Sequence, residues 1–191
     1  MNNAIRWRII SLQAMLVVIL AAASGFLFYE GGFVTNMVRD QLVAQQISFP
    51  PTSEIKAGGA LDPAKFSAEI RNYAGQPVDN GDKARVYAND FINVHLQSVA
   101  NGQTYAQVSA LAQADPTNTT LSGQVATLFK GETLRSMLLN AYGWGTLGAY
   151  TTYAAFGLMI AGLGVLGAMV FELFFAVRKP ESVKVMQKIA A

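Results

Sequence analysis

The residue types that most often perform acid–base, nucleophilic or metal chemistry are sparse in this chain. It has 191 residues, no cysteine and a single histidine, His95. A lone histidine is a poor metal site, and Asp82 and Asp90 do not lie at ligand spacing from it. The chain has no serine elbow, phosphate-cradling glycine loop or zinc motif, and its basic residues are too dispersed for a nucleic-acid footprint. We therefore expect no enzyme activity, no metal, no cofactor and no nucleic-acid partner.

Two polar residues stand inside or at the edge of long apolar stretches. Gln13 and Glu172 are expected at similar depths in a membrane, towards its cytoplasmic side. A carboxylate there is costly and needs a partner. It would snorkel to the interface or pair with an arginine, Arg178, Arg6 or Arg8. The alternative is a proton or ion pathway, which the lack of a second carboxylate at mid-depth argues against.

The apolar stretches themselves predict two membrane spans. The chain is 52% hydrophobic and 14% charged, whereas soluble domains are about a quarter charged. Charged residues are scarcest in residues 9–29 and 146–177. The first of these stretches has 21 residues, and a helix of that length extends about 31 Å, enough to cross the hydrocarbon core. A cleavable signal peptide is the alternative for the first stretch. The apolar run continues past the small residues near Ala21 to Tyr29, which favours a retained anchor.

The distribution of charge predicts the orientation of the spans. Arg6 and Arg8 precede the first span, Arg178 and Lys179 follow the second, and the segment between the spans is slightly acidic. The positive-inside rule then places both termini of a plasma-membrane protein in the cytoplasm. The predicted segments are a cytoplasmic tail at 1–8, a first span at 9–29, an extracytoplasmic helical domain at 30–145, a second span at 146–177 and a cytoplasmic tail at 178–191.

The second span carries small residues at helical spacing. Steps of three and four residues place five of them on one helix face, where they would let another backbone approach closely in lipid. This small-residue face consists of Ala154, Gly157, Ala161, Gly164 and Ala168. One interpretation is packing against the first span, which offers Ala14, Ala21 and Gly25. The other is a contact with another subunit, and a helix that uses both faces would satisfy both.

Aromatic residues and glycines alternate around the outer end of the second span. The aromatic residues suit a membrane interface, and we call them the interface collar: Tyr142, Trp144, Tyr150 and Tyr153. Glycines at positions 143, 145 and 148 lie among them. The pattern is typical of an aromatic belt with a flexible hinge. The alternative is a docking surface for a partner protein or for a lipid or quinone head group.

Helical signals dominate the segment between the spans, and no run alternates for long enough to predict a sheet. The first helix is expected to continue over residues 33–47 and to stop before Pro50. Gly131 is predicted to break or bend the last helix. Asp62 and Thr104 are predicted N-caps, Asn80-Gly81-Asp82 is predicted to open another helix, and Asp115-Pro116 to begin the last stretch before the second span. The predicted fold class is all-α, with two transmembrane helices and an extracytoplasmic bundle of short helices between them.

Several short motifs in the central segment carry a resemblance to known proteins. They are Arg39-Asp40-Gln41-Leu42 with Phe49-Pro50-Pro51, Asn80-Gly81-Asp82-Lys83-Ala84-Arg85 with Tyr87-Ala88, Gly102-Gln103-Thr104-Tyr105, and Leu128-Phe129-Lys130-Gly131-Glu132. In these motifs the sequence resembles a family of uncharacterised two-pass membrane proteins of actinobacteria with an extracytoplasmic helical domain. The likeness covers most of residues 30–150. It implies the same topology and a bacterial envelope setting, and it implies no activity.

These observations predict a non-enzymatic, membrane-anchored accessory or scaffold subunit of a cell-envelope complex, for example a respiratory one. Its expected partners are the lipid bilayer and either another membrane protein or further copies of the chain. The alternative is a module that binds a lipid or another hydrophobic ligand above the membrane. Its pocket would be lined by Phe66, Tyr73, Tyr87 and Phe91.

Overall fold

The computed structural model describes residues 3–177, which form helices and loops. The described residues contain no strand beyond an isolated bridge between Ser48 and Pro77, so the predicted all-α class is confirmed. The helices are α1 (Asn3–Ala44), a 3-10 turn (Thr52–Glu54), α2 (Ala68–Asn72), α3 (Gly81–Val86), a π-helical turn (Tyr87–Ile92), α4 (Asn93–Val99), α5 (Tyr105–Ala114) and α6 (Thr119–Val177). The predicted C-terminal tail, with Arg178 and Lys179, lies outside the described residues.

Both long helices, α1 and α6, contain a segment long and apolar enough to cross a membrane. They have 42 and 59 residues, and about 20 apolar residues are needed for one crossing. Only 11% of each apolar window is buried, whereas the core helix of a soluble protein is mostly buried. The prediction of two long apolar helices is confirmed, and the orientation of the termini stays a prediction.

The chain divides into two compact units. The first unit contains the described residues up to Gly31 and those from Tyr150 onwards, and the second is Gly32–Ala149. The location of residues 30–145 outside the cytoplasm stays a prediction.

In the first unit, α1 and α6 run antiparallel in contact. The Ser24 hydroxyl donates a 2.9 Å hydrogen bond to the Ala155 carbonyl oxygen, and the Phe28 and Phe156 rings meet edge to face at 4.8 Å. The most covered positions on α6 recur in steps of three and four residues, the spacing of helices that pack along a supercoiled seam. We call these positions the α1-facing seam: Ala155, Leu158, Gly162, Val165 and Met169.

In the second unit, short helices pack against the N-terminal half of α6 around a continuous apolar core. Its fully buried side chains include Leu61, Ile70, Val78, Val108, Leu128 and Leu138. Glycines permit the closest approaches. A Cβ on Gly81 would lie 3.2 Å from Tyr142 Cα, and a Cβ on Gly145 would lie 3.3 Å from Gly81 Cα. A Cβ on Gly131 would overlap the buried Leu96 side chain.

The glycines of α6 do not interrupt it. The helix is continuous from Thr119 to Val177, so the predicted break at Gly131 is wrong, while a bend there and a flexible hinge at residues 143–148 stay predictions. Glycine costs a helix up to about 1 kcal/mol relative to alanine, which packing can offset. At Gly131 and Gly145 the packing against Leu96 and Gly81 provides the reason for the missing side chain.

Two predicted N-caps are confirmed. The Asn80 side chain accepts a 3.0 Å hydrogen bond from the Lys83 amide and caps α3. Thr104 and Gln107 form a reciprocal capping box at the start of α5. Both signals depend on residues three positions apart, so local sequence was sufficient to predict them.

The predicted N-cap at Asp62 is wrong, and α6 begins later than the predicted start at Asp115. Asp62 closes a turn, and α2 begins later, where the Ser67 hydroxyl accepts a hydrogen bond from the Ile70 amide. Asp115 precedes α6 by several residues, and Asn118 caps that helix through a 3.1 Å bond from the Leu121 amide. In each case a second polar residue downstream takes the cap position.

The Asp62 carboxylate holds the turn that leads into α2. Its oxygens accept hydrogen bonds of 2.8 and 2.9 Å from the Gly58 and Ala64 amides. The bonds from Gly58, and secondarily from Ala64, lower the pKa of the Asp62 carboxyl below its ordinary value of 3.8. The ionised form is therefore favoured by folding.

We predict that Asp62→Asn lowers the melting temperature at neutral pH and that the difference from the wild type narrows on acidification. A carboxyl with a depressed folded pKa stabilises the fold above its unfolded pKa, and this stabilisation is lost as the pH falls through the folded pKa. Thermal melting at pH 7 and below pH 4 measures the effect. Asp40→Asn, at an exposed position of α1, is the control for lost charge. If the melting temperatures of Asp62→Asn and the wild type differed by the same amount at every pH, the prediction would be contradicted.

We predict that alanine has opposite effects at two glycines of α6. Gly131→Ala should destabilise the fold by about 1–3 kcal/mol, because the added methyl overpacks the buried Leu96. Gly123→Ala should stabilise it by roughly 0.5–1 kcal/mol, because nothing lies within 4 Å of its Cβ position and alanine is the better helix former. Denaturant unfolding followed by circular dichroism measures the change in the free energy of unfolding for each variant. If Gly131→Ala also stabilised the fold, the proposed overpacking against Leu96 would be contradicted.

Candidate functional site

The small-residue face lies beside the α1-facing seam. Each of its members precedes a seam position by one residue, which corresponds to a rotation of about 100° around the helix. All five residues of the face are exposed: Ala154, Gly157, Ala161, Gly164 and Ala168. Nothing lies within 4 Å of a Cβ built on Gly157 or Gly164. Within the described part of the chain, α1 therefore leaves the small-residue face uncovered.

Other small residues make the contact between α1 and α6. Ala155 is fully buried, and a Cβ on Gly162 would lie 3.5 Å from Leu20 Cβ. Ser24 supplies the buried hydrogen bond of this contact. Sequence reasoning missed Ser24 and Ala155 as contact residues. The signals were present, since Ser24 is a hydroxyl inside an apolar run and the seam repeats with the same steps as the small-residue face.

Ala21 and Gly25 of α1 lie at the edge of the contact. Both are exposed, and both line an apolar recess of about 360 Å³ that also touches Gly162. The remaining lining residues are Val17, Ser24, Phe28, Leu158, Met159, Leu163 and Leu166. The predicted pairing of Ala21 and Gly25 with the small-residue face is absent from the described chain.

The polar residues of the two apolar helices meet in part. Arg6 Nη2 donates a 3.5 Å hydrogen bond to the backbone oxygen of Glu172. Three further polar atoms are buried without a hydrogen bond within the described residues: Arg6 Nε, Gln13 Oε1 and Glu172 Oε2. Of the three arginines considered as partners for Glu172, Arg6 contacts its main chain, and Arg178 lies outside the described residues.

The members of the interface collar have different surroundings. In the second unit, Tyr142 lies under the Arg85 guanidinium, whose carbon is 6.0 Å from the ring centroid, while Trp144 is 47% exposed. In the first unit, the Tyr150 and Tyr153 side chains are exposed, and their ring centroids lie 6.5 Å apart. Tyr142 is thus a packing residue of its own unit, and the other three offer aromatic surface.

Trp144 lines a cavity between the second-unit parts of α1 and α6. The volume of this cavity is about 370 Å³, and we call it the carboxamide groove. Its walls are Met37, Val38, Gln41 and Leu42 from α1, Gln45 from the turn that follows α1, and Met137, Leu138, Asn140, Ala141 and Trp144 from α6. Sequence reasoning did not find this groove. Its signals were Gln41 and Gln45, two carboxamides four residues apart among apolar residues.

The aromatic residues expected to line a ligand pocket contact one another instead. The Phe66 and Phe91 ring centroids lie 5.8 Å apart, and those of Tyr87 and Phe91 lie 5.0 Å apart. Phe49 joins Tyr73 to Tyr87 at 5.5 and 5.2 Å. Burial raises the pKa of the Tyr87 hydroxyl. These four aromatic side chains, with Phe49, therefore pack against one another.

His95 belongs to the same aromatic cluster. Its ring centroid is 4.5 Å from that of Phe91, and Nδ1 lies 2.9 Å from the Phe91 carbonyl oxygen. Asp90 accepts a 2.9 Å hydrogen bond from the Ser67 hydroxyl. Among residues 3–177, no group of three histidine, cysteine or acidic side chains is close enough to hold a metal ion.

Comparisons of the chain with protein-family models, with curated proteins and with solved structures gave no match. The resemblance to an actinobacterial membrane-protein family therefore stays a prediction. The surfaces that the described residues leave uncovered include the small-residue face, the apolar recess and the carboxamide groove.

Proposed function

We propose that this chain is a non-enzymatic, membrane-anchored accessory subunit that binds a helix of another membrane protein in the cell envelope. The observation that carries the proposal is the exposed small-residue face of α6. It is separate from the α1-facing seam, so a second helix could bind there without displacing α1. The bilayer is the other proposed partner.

The apolar surface of both long helices supports insertion into a membrane. Large side chains such as Leu12, Phe26, Ile160 and Phe171 are exposed in the described chain. Contiguous apolar surface on this scale is unfavourable in water and is typical of lipid or protein contact. The basic residues at both ends of the sequence support cytoplasmic termini, with residues 30–145 outside.

Small residues favour helix association in lipid because they let two backbones approach closely. Lipid tails are as apolar as leucine, so the association depends on van der Waals packing and not on removing surface from water. Gly157, Ala161 and Gly164 form a shallow strip with open space above the two glycines. A bulky side chain on that strip would hold a partner helix away.

We predict that Gly157→Leu, Ala161→Leu and Gly164→Leu together reduce recovery of a membrane partner by about tenfold or more, a loss equivalent to about 1.4 kcal/mol or more of binding free energy. Purification in mild detergent followed by quantitative mass spectrometry measures the recovery. A photoreactive amino acid at position 161 should crosslink to the same partner.

Gly167→Leu is the matched control, because it is an exposed glycine of α6 outside the face with nothing within 4 Å of its Cβ position. It should leave recovery unchanged. If the species recovered is a second copy of the chain, the scaffold form of the proposal holds, because the same face then joins identical subunits. Equal recovery with the triple variant, or no partner at all, would overturn the proposal.

The alternative function, binding of a hydrophobic ligand, is favoured by one observation, the carboxamide groove. The aromatic residues first expected to line the pocket pack against one another. The carboxamide groove offers such a ligand both polar and apolar side chains.

A further inference from the structure

We propose that the carboxamide groove binds an uncharged amphiphile, a molecule with a neutral, hydrogen-bonding head and an apolar tail. This site is independent of the small-residue face and of the proposed partner helix. The volume of about 370 Å³ lies within the usual range of small-molecule sites. A helix with its side chains is about 10–12 Å across, so a groove of this volume cannot enclose one.

The polar side of the groove selects for a neutral head. Its polar side chains are the carboxamides of Gln41, Gln45 and Asn140, and no charged residue lines it. A carboxamide has two donor hydrogens and an acceptor oxygen, so the three can bind carbonyl and hydroxyl groups. A charged head would lose hydration in the groove without gaining an ion partner.

The three carboxamides are free to make such bonds. Gln41 lies in the last turn of α1, Gln45 lies in the turn that follows it, and Asn140 of α6 lines the same groove. All three are exposed, and within residues 3–177 their side-chain amides have no protein hydrogen-bond partner. A ligand can therefore bind them without breaking internal bonds.

The apolar side of the groove suits the first part of a tail. Met37, Leu138 and Trp144 supply apolar walls, and Met137 stands at the rim. Met137 is 65% exposed and Trp144 47%, so a tail along them would remove apolar surface from water. Methionine adapts its shape to irregular ligands, and tryptophan combines an apolar ring with a hydrogen-bond donor.

The sequence position of the groove fits delivery from a bilayer. Trp144 precedes the predicted second span by two residues. Two sources share the required chemistry, a quinone and a diacylglycerol-type lipid. Both combine uncharged oxygen-bearing heads with long apolar chains, and the experiment below separates them.

The test uses Trp144 as the reporter. The chain has two tryptophans, so Trp7→Phe in the full-length protein leaves Trp144 alone in its fluorescence. The protein is placed in phosphatidylcholine nanodiscs and titrated with a decyl-substituted benzoquinone in one arm and with dioleoylglycerol in the other. We expect saturable quenching if the quinone binds, or a saturable blue shift if the lipid binds. Dioleoylphosphatidic acid, which carries a charged head, should give neither.

Substitutions in the groove decide whether the signal comes from this site. Gln41→Leu with Asn140→Leu should weaken the saturable response about tenfold, which corresponds to roughly 1.4 kcal/mol. Gln103→Leu, an exposed carboxamide in a loop outside the groove, should not change it. If the double variant fails to fold, Asn140→Leu alone serves the same purpose. Linear quenching without saturation, an equal response to the charged lipid, or a response unaffected by the groove variants would overturn the proposal.

Discussion

The contact between α1 and α6 in the first unit is the interaction on which the proposed membrane surfaces depend. It fixes which side of α6 faces its own chain. Two adjacent registers of α6 contain small residues, one with small residues at every step and the other with Ala155 and Gly162 among larger side chains. The structure uses the register of Ala155 and Gly162. The register of Gly157 and Gly164 is left for lipid or for another helix.

The sequence predicted the helices and two of their caps well, because those signals are local. Hydrophobic spacing marks α1 and α6, and the Thr104–Gln107 box marks the start of α5. The start predicted at Asp62 was wrong and the one at Asp115 was early, because Ser67 and Asn118 downstream take the cap positions. The failure at Gly131 has a different cause. A glycine that breaks an isolated helix is tolerated where a neighbouring side chain needs its space, and Leu96 lies 35 residues away in sequence.

The candidate surfaces were predictable to different degrees. The small-residue face follows from periodicity within α6, but whether α1 covers it depends on a rotation of about 100° that no local pattern records. The collar was recognised by composition, and its Tyr142 then proved to be a packing residue. The carboxamide groove could not be inferred, because Gln41 and Asn140 come together only when α1 and α6 are brought side by side.

Two polar contacts cross the seam between α1 and α6. The Ser24 hydroxyl reaches the Ala155 carbonyl, and near the other end of the contact Arg6 reaches the Glu172 carbonyl. Every residue of α6 has a backbone carbonyl, so these bonds hold the two helices together without selecting a register. The seam differs from the small-residue face in its side chains, because Leu158, Val165 and Met169 are partly covered there and give α1 more surface for van der Waals packing than alanine or glycine would. Packing of these larger side chains favours the observed seam and leaves the small-residue face uncovered.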